Sequence, residues 1–268
     1  MLFRSGLVTL PKLESLELAR IWNGTPLAGN PKIGFWGVFF FAWFCNAAMH
    51  LGMSDLSVLR YARKPSYGWA SAAGMYLGHC IAWICASLLY ALQLQKFGPD
   101  AAVAPGPMVF EAVGWAGLIC VVIAGWTTAN PTIYRAGLAF QGILPSMPRT
   151  TATIIAGIVC TVAGLFPAFA MKLLDFVGIY GMVLAPVGAI IVVDVFLAKP
   201  LGLASNPAET FRSPFNTAAL IAWVLPAALG FAAVKAFSMP LPTYATLPVW
   251  LGSGILYIAL SKFLQPRR

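Results

Sequence analysis

The chain alternates between long apolar runs and short segments that carry most of its charged residues and many of its prolines and glycines. A helix needs about 20 apolar residues to cross a bilayer, so each run is a candidate membrane span. The pattern predicts an all-α polytopic membrane protein with about seven transmembrane helices. The predicted spans are Phe35–Leu59, Trp69–Leu92, a third between Val109 and Gly142, Thr150–Met171, Phe176–Leu197, Asn216–Phe237 and Leu247–Leu264.

Composition agrees with this class of protein. Hydrophobic residues make up 60% of the chain and charged residues only 9%, with a mean hydropathy of +0.81. Soluble domains carry roughly one-quarter charged residues. The net charge of +9 does not indicate nucleic acid binding, because the basic residues are scattered at the ends of the apolar runs.

The five cysteines lie inside apolar runs, with no close CxxC pair and no clustered histidines. We therefore expect buried small side chains and neither disulfides nor a transition-metal site.

Two regions are predicted, residues 1–34 and residues 35–268. The first combines a short amphipathic helix around Lys12–Trp22 with a loop rich in Gly and Pro, and the second is the helical bundle. Basic residues concentrate on the side to which Arg60 belongs, which predicts that this side is cytoplasmic. An odd number of spans then places Met1 outside without an export signal. We therefore expect the chain to resemble the back portion of a longer protein, with residues 1–34 on the outer side.

The third predicted span contains the segment GWTTANPTIYRAGLAFQ, from Gly125 to Gln141. One helix from Val109 to Gly142 would be roughly 50 Å long, whereas the hydrocarbon core is about 30 Å thick. The helix must therefore bend or extend beyond the bilayer, and Asn130-Pro131 is the predicted interruption. Hydroxyl and amide groups around a freed carbonyl suit a cavity wall, although threonine hydroxyls in membrane helices also bond to their own helix.

We expect the remaining polar residues to have mainly structural roles. Asn46 and His50 are four residues apart, so an α-helix would place them on one buried face. We expect Asp55 to pair with Arg60 at the interface. His79 is predicted to be a packing residue, and Asp194 is predicted to lie at the interface near Lys199. These residues do not form a set of catalytic acids, a metal cluster or a Ser-His-Asp arrangement, so an intramembrane enzyme is disfavoured.

Three blocks, read in this order, resemble the nucleobase-cation symporters, the family of purine-cytosine and hydantoin permeases. They are SDLSVLRYARK at Ser54–Lys64, GWTTANPTIYRAGLAF at Gly125–Phe140 and LAPVGAIIVVDVFL at Leu184–Leu197. The resemblance implies the leucine-transporter-like fold, with two inverted five-helix repeats and two terminal helices. The seven spans would then be helices six to twelve, and the first span would be the discontinuous helix of the second repeat.

The resemblance also implies a site. Its cation-binding positions are Ala124, Thr127 and Thr128, whose oxygens suit a hard ion such as sodium. Its substrate-binding positions are Trp43, Phe44, Asn46, Asn130 and Thr132, with Cys45 beside them. This chain departs from the asparagine run that many members carry after the Thr-Thr pair, so the substrate class stays open between purine, cytosine, hydantoin, allantoin and vitamin-like rings.

The expected function is secondary active transport of such a heterocycle across the inner membrane with sodium or a proton, and no other cofactor. Its expected partners are the lipid bilayer, the substrate and a separately encoded N-terminal half, but not nucleic acid. Because helices one to five have no counterpart in the sequence, we expect the chain alone not to transport. The alternatives are a truncated, non-transporting fragment and a structural membrane subunit.

Overall fold

The computed structural model describes residues 19–20, 23, 32–53, 56–98, 105–166, 172–239 and 242–265. Within those ranges the protein is helical, without strands. The predicted N-terminal helix falls mostly outside them, and Asp55 falls outside them entirely. The elements are α1 (Phe35–Cys45), a π-helix (Ala47–Leu51), α2 (Leu56–Leu59), α3 (Tyr67–Phe97), α4 (Pro105–Val113), α5 (Trp115–Ile143), α6 (Arg149–Gly164), α7 (Leu173–Val192), a second π-helix (Val193–Leu197), α8 (Pro207–Thr210), α9 (Thr217–Ala236) and α10 (Thr246–Leu264).

Five helical segments in the described ranges are long and apolar enough to cross a membrane. They are Tyr67–Phe97, Trp115–Ile143, Asp175–Leu197, Thr217–Ala236 and Thr246–Leu264. The other two predicted spans contain shorter apolar helices, Phe35–Cys45 and Arg149–Gly164. The protein is therefore an all-helical polytopic membrane protein. The residues that the structure describes contain five helices of spanning length, and the number of seven spans stays a prediction.

The chain forms two compact units. The first includes Leu59–Ala156, and the second comprises Ile33–Val58 and Gly157–Arg268. In the first unit, the last turns of α3 pack on α4. This core consists of Leu88, Leu89, Ala91 and Leu92 from α3 with Met108, Val109 and Ala112 from α4. An ion pair between Lys96 and Glu111 joins the same two helices at the edge of the core.

The interruption in the third predicted span lies at Gly114 and not at Asn130-Pro131. Gly114 has φ 63° and ψ −146°, a backbone conformation that a side chain disfavours, and it separates α4 from α5. Helix α5 then continues through Pro131 to Ile143. The predicted break is wrong because a single proline removes one hydrogen bond, which a 29-residue helix tolerates. The helix is about 43 Å long, so it still exceeds the hydrocarbon core.

In the second unit, α7 is the most enclosed of the spanning helices and packs against α9 and α10. Of its most apolar 18-residue window, 44% is buried, compared with 28% for each of its two neighbours. Small residues allow this close packing. A Cβ on Gly230 of α9 would collide with Met182 and Val249.

Polar bonds join these three helices. The hydroxyl of Ser253 in α10 donates to the Ala222 carbonyl at 2.6 Å, with the Pro186 carbonyl 3.1 Å away. The indole Nε1 of Trp223 donates to the Val183 carbonyl at 2.8 Å. Hydrogen bonds of this kind contribute to helix association in a membrane, where the hydrophobic effect between helices is absent.

Several expectations about burial are wrong. Cys85 is buried, but Cys45, Cys80 and Cys160 are exposed, and His79 is exposed on α3. The physical reason is that a membrane-spanning helix turns apolar surface outward as well as inward. An apolar sequence therefore does not predict which side chains are enclosed.

Candidate functional site

The first predicted span is interrupted in the middle. Helix α1 ends at Cys45, Asn46 has φ −96° and ψ 1°, and the five-residue π-helix follows. Met53 then has φ 57°, before the single turn of α2. The amide Nδ2 of Asn46 donates to the Ala42 carbonyl at 2.8 Å, which competes with the regular backbone pattern. This segment is therefore discontinuous.

The backbone between Asn46 and His50 combines α-helical and π-helical hydrogen bonds. Asn46 follows the last residue of α1, whereas His50 lies inside the π-helix, where bonds run from residue i to i+5. The amide of Leu51, for example, donates to the Asn46 carbonyl at 3.0 Å. The amide of His50 also donates to the Asn46 carbonyl at 3.1 Å, a bond of α-helical length, so the shared face of Asn46 and His50 stays a prediction.

The π-helix packs directly on α7 at Gly188. A Cβ at this position would overlap the carbonyl oxygen of Leu51 and come within 3.1 Å of the Gly52 Cα. Only glycine allows this approach without a backbone shift, because the obstacle is a carbonyl group and not the end of a flexible side chain. The adjacent α7 residues Ala185 and Ala189 are buried as well. The irregular backbone is thus covered by protein on this side, which is the condition for such backbone at membrane depth.

The three substrate positions predicted in this span have different surroundings. Phe44 is 1% exposed, so its ring is a core residue and does not present a free face. Trp43 is half-buried, with its ring centroid 6.0 Å from that of Trp250 and an angle of 49° between the rings. Asn46 is half-buried and uses Nδ2 to bond to the backbone. Of the two aromatic candidates, Trp43 is therefore the one suited to stack on a ligand.

Trp250 is a candidate site residue that the sequence did not reveal. Its Nε1 is buried without a hydrogen-bond partner in the part of the chain that the structure describes. A buried donor without an acceptor is costly, and a ligand oxygen or ring nitrogen would satisfy it. The residue lies in α10, 207 positions after Trp43, so no local spacing could have linked the two.

A cavity of about 280 Å³ lies beside α1 in the same unit. It is lined by Ile33, Gly37, Val38, Phe41, Met239, Thr243 and Tyr244. Its volume is near the lower end for small-molecule pockets, about 300 Å³, which suits a compact ring.

The predicted cation positions belong to the first unit and form a cluster of oxygens on α5. The Thr127 and Thr128 hydroxyls both donate to the Ala124 carbonyl, at 2.9 and 3.0 Å. Thr132, one of the predicted substrate positions, donates to the Thr128 carbonyl at 2.9 Å. The hydroxyls therefore bond to carbonyls of their own helix, as threonine hydroxyls in membrane helices often do. Each hydroxyl oxygen keeps lone pairs that can accept a bond or bind a cation.

The surface around this cluster is open within the structure. Residues 121–130 are all exposed, and they include Ala124, Thr127, Thr128 and Asn130. Three oxygens are fewer than the six or more that hard cations such as Ca²⁺ and Mg²⁺ take, so water or other groups would have to complete an ion's shell.

Asp194 is held by hydrogen bonds at the end of its membrane span, and its predicted position at the interface stays a prediction. It lies in the second π-helix, and its Oδ1 accepts a bond from the Tyr257 hydroxyl at 2.9 Å. Its Oδ2 accepts a bond from the Asn206 amide at 2.8 Å. Asn216 Nδ2 lies 3.1 Å from the Tyr257 hydroxyl, so the carboxylate is part of a polar network that connects α9 and α10. Asp194 thus has a structural role at the end of α7, and the described ranges contain no cluster of three or more His, Cys, Asp or Glu side chains that could hold a metal.

Comparisons with known protein families, with curated proteins and with solved structures gave no match to this chain.

Proposed function

We propose that the chain is a secondary active transporter, or the back half of one, that moves a nucleobase-like heterocycle across the inner membrane with sodium or a proton. The heterocycle would be of the purine, cytosine, hydantoin or allantoin type. The observation that carries the proposal is the interrupted helix from Phe35 to Leu59, whose π-helix packs on Gly188. Broken helices of this kind supply backbone groups to ligands in many secondary transporters, and they have no purpose in a simple membrane anchor.

The side chains near the interruption support a planar ligand. Trp43 offers a half-buried aromatic face, and the unpaired Nε1 of Trp250 offers a donor. Aromatic rings stack on the faces of bases, and a buried donor reads the acceptors on a base edge. The three oxygens around Ala124 suit a sodium ion better than a proton, because none of them belongs to a group that titrates near neutral pH.

Uptake by proteoliposomes tests the proposal. The full chain is reconstituted with and without a separately produced front half, and the uptake of radiolabelled cytosine, hypoxanthine, hydantoin and allantoin is measured with and without a sodium gradient. The expected result is saturable uptake of at least one ring that depends on the gradient. Absence of uptake and of ligand binding in both preparations would overturn the proposal.

A pair of threonine variants tests the ion site. Thr128→Val removes the hydroxyl while keeping the shape, and it should raise the sodium concentration for half-maximal uptake about tenfold, the usual effect of losing a bond to a charge. The matched control is Thr161→Val, because the Thr161 hydroxyl makes the same kind of bond to its own helix, 2.8 Å to the Gly157 carbonyl. Equal effects of the two changes would contradict an ion site at Thr128.

Trp43→Ala tests the aromatic contact. Loss of one base-stacking contact should weaken heterocycle binding about tenfold or more. Asn130→Ala tests the predicted substrate position in the first unit, and it should also weaken heterocycle binding. Trp43→Phe keeps a ring and should retain most of the affinity.

A further inference from the structure

Two distant segments of the first unit meet in a cluster of arginine and tyrosine side chains. The hydroxyls of Tyr61 and Tyr134 are 2.7 Å apart. The guanidinium of Arg60 lies 5.4 Å from the Tyr61 ring centroid, and that of Arg149 lies 5.8 Å from the Tyr134 ring centroid. The hydrogen bond to Tyr134 and the nearby Arg149 guanidinium together hold the pKa of Tyr61 below its ordinary value.

The charge in this region is not balanced within the first unit. Between Leu59 and Ala156 the sequence has six basic residues and two acidic ones, Asp100 and Glu111. Glu111 is paired with Lys96, which lies about 40 Å along α3 from its start. Four exposed cations surround the two tyrosines or follow them closely in sequence: Arg60, Arg63, Lys64 and Arg149.

Exposed aromatic rings mark the same place as a membrane–water boundary. Tyr61 is 66% exposed, and Tyr67 and Trp69, in the first turn of α3, are 49% and 81% exposed. Helix α3 is long and apolar enough to cross the bilayer from this point. Tyrosine and tryptophan are enriched at the level of lipid headgroups, where one part of the ring is apolar and the other is wet.

We propose that the cluster of Arg60, Tyr61, Tyr134 and Arg149, with Arg63 and Lys64, binds the headgroups of anionic lipids in the adjacent leaflet. Clusters of four or more cations at the end of a membrane helix attract anionic lipids. The two guanidinium groups lie over tyrosine rings, within 6 Å of the ring centroids, and the N–H groups of a guanidinium can bind phosphate oxygens in pairs. The aromatic residues place these groups at headgroup depth, which favours a lipid over a soluble phosphate or a nucleic acid. This inference does not depend on the proposed transport function.

The experiment measures lipid binding to the purified full chain in neutral detergent by native mass spectrometry. The probes are phosphatidylglycerol and phosphatidylcholine. The wild-type protein should bind phosphatidylglycerol in preference, and the double variant Arg60→Gln/Arg149→Gln should bind it about fivefold more weakly for each charge removed. The matched control, Lys172→Gln/Lys235→Gln, removes two exposed charges from the second unit and should leave binding unchanged.

Three results would overturn the proposal. These are equal binding of the two lipids, an equal loss of binding in the two double variants, and competition by inorganic phosphate at concentrations similar to those of the lipid. The last result would assign the cluster to a soluble phosphate. Arg149→Lys provides a second variant in case the double change prevents folding. It keeps the charge but loses the planar guanidinium, so it should weaken phosphatidylglycerol binding less than Arg149→Gln, and equal losses would contradict the role of charge.

Discussion

Substitution of Gly188 by alanine tests how α7 holds the interrupted helix. The added Cβ would overlap the Leu51 carbonyl oxygen, and a backbone carbonyl cannot rotate away as a side chain does. The π-helix and α7 must therefore move apart. Overpacking of this kind costs about 1–3 kcal/mol, and we expect the upper half of that range because the obstacle is main chain. At about 2–4 °C for each kcal/mol, the melting temperature should fall by roughly 4–12 °C.

Two other glycines in the second unit give a graded comparison. A Cβ on Gly178 would lie 3.2 Å from the Cδ of Pro242, which is tight but not overlapping, whereas a Cβ on Gly157 would have no neighbour within 4 Å. Gly178→Ala should therefore cost less than Gly188→Ala. Gly157→Ala should be neutral or stabilising by up to about 1 kcal/mol, because alanine favours helix.

The assay is thermal unfolding in one detergent, followed by tryptophan fluorescence for all three variants. The expected order of melting temperatures is Gly157→Ala, then Gly178→Ala, then Gly188→Ala. A Gly188→Ala protein that melts at the wild-type temperature would refute the close contact between the π-helix and α7. Helix α7 would then not cover the irregular backbone on this side.

Two further predictions concern single hydrogen bonds. Ser253→Ala should lower stability by about 1 kcal/mol in the same unfolding assay, because the Ala222 carbonyl loses its donor. The loss of stability should be smaller in a Pro226→Ala background, where a backbone amide replaces that donor. An equal loss in the two backgrounds would contradict this explanation. Arg149→Gln should raise the pKa of Tyr61, which Tyr134 and Arg149 hold low in the folded protein. A group whose pKa is lowered by folding stabilises the folded state above its unfolded pKa, and this stabilisation is lost as the pH falls through its folded pKa. The stabilisation from Tyr61 should therefore appear only at alkaline pH, and it should be smaller in Arg149→Gln. Absorbance titration of tyrosinate, corrected with Tyr61→Phe, measures the shift, and an unchanged titration would contradict it.

The ends of the last helices could be predicted from sequence to within a residue. The predicted spans Asn216–Phe237 and Leu247–Leu264 compare with helices at Thr217–Ala236 and Thr246–Leu264. The signals there are local. Hydrophobicity changes sharply at each end, and the Asn216 side chain accepts a bond from the Ala219 amide as an N-cap.

The break before α5 could not be predicted in the same way. The sequence contains a proline at position 131 and a glycine at position 114, and proline is the stronger general signal for an interruption. Whether a glycine adopts a positive φ depends on the contacts of its neighbours. In this case Gly117 packs against the Val109 carbonyl, which joins α4 and α5 in a tight turn. Such a contact is a property of the folded chain and not of local sequence.

The candidate site was predictable only in part. The Thr127 and Thr128 hydroxyls lie together around the Ala124 carbonyl because all three groups are on one turn of α5. The surroundings of Trp43 and Phe44, in contrast, depend on helices that follow much later in the chain. No feature of the sequence predicts that Phe44 is buried while Trp43 is half-buried, and none indicates that Trp250 lies beside Trp43.

Pro131 of α5 and Pro226 of α9 each leave one backbone carbonyl without its usual amide donor. The two carbonyls have different surroundings, and this difference bears on ion binding. Pro226 cannot donate to the Ala222 carbonyl, and Ser253 of α10 does so in its place. Pro131 cannot donate to the Thr127 carbonyl, and the nearby threonine hydroxyls donate to Ala124 and Thr128 instead. Among the backbone carbonyls of this turn, that of Thr127 therefore lacks its α-helical donor, and a cation can bind it without breaking an α-helical hydrogen bond. Pro131→Ala restores an amide donor to that carbonyl, so it should stabilise the helix yet weaken sodium dependence in the uptake assay. Unchanged sodium dependence in a more stable protein would exclude this carbonyl as a ligand.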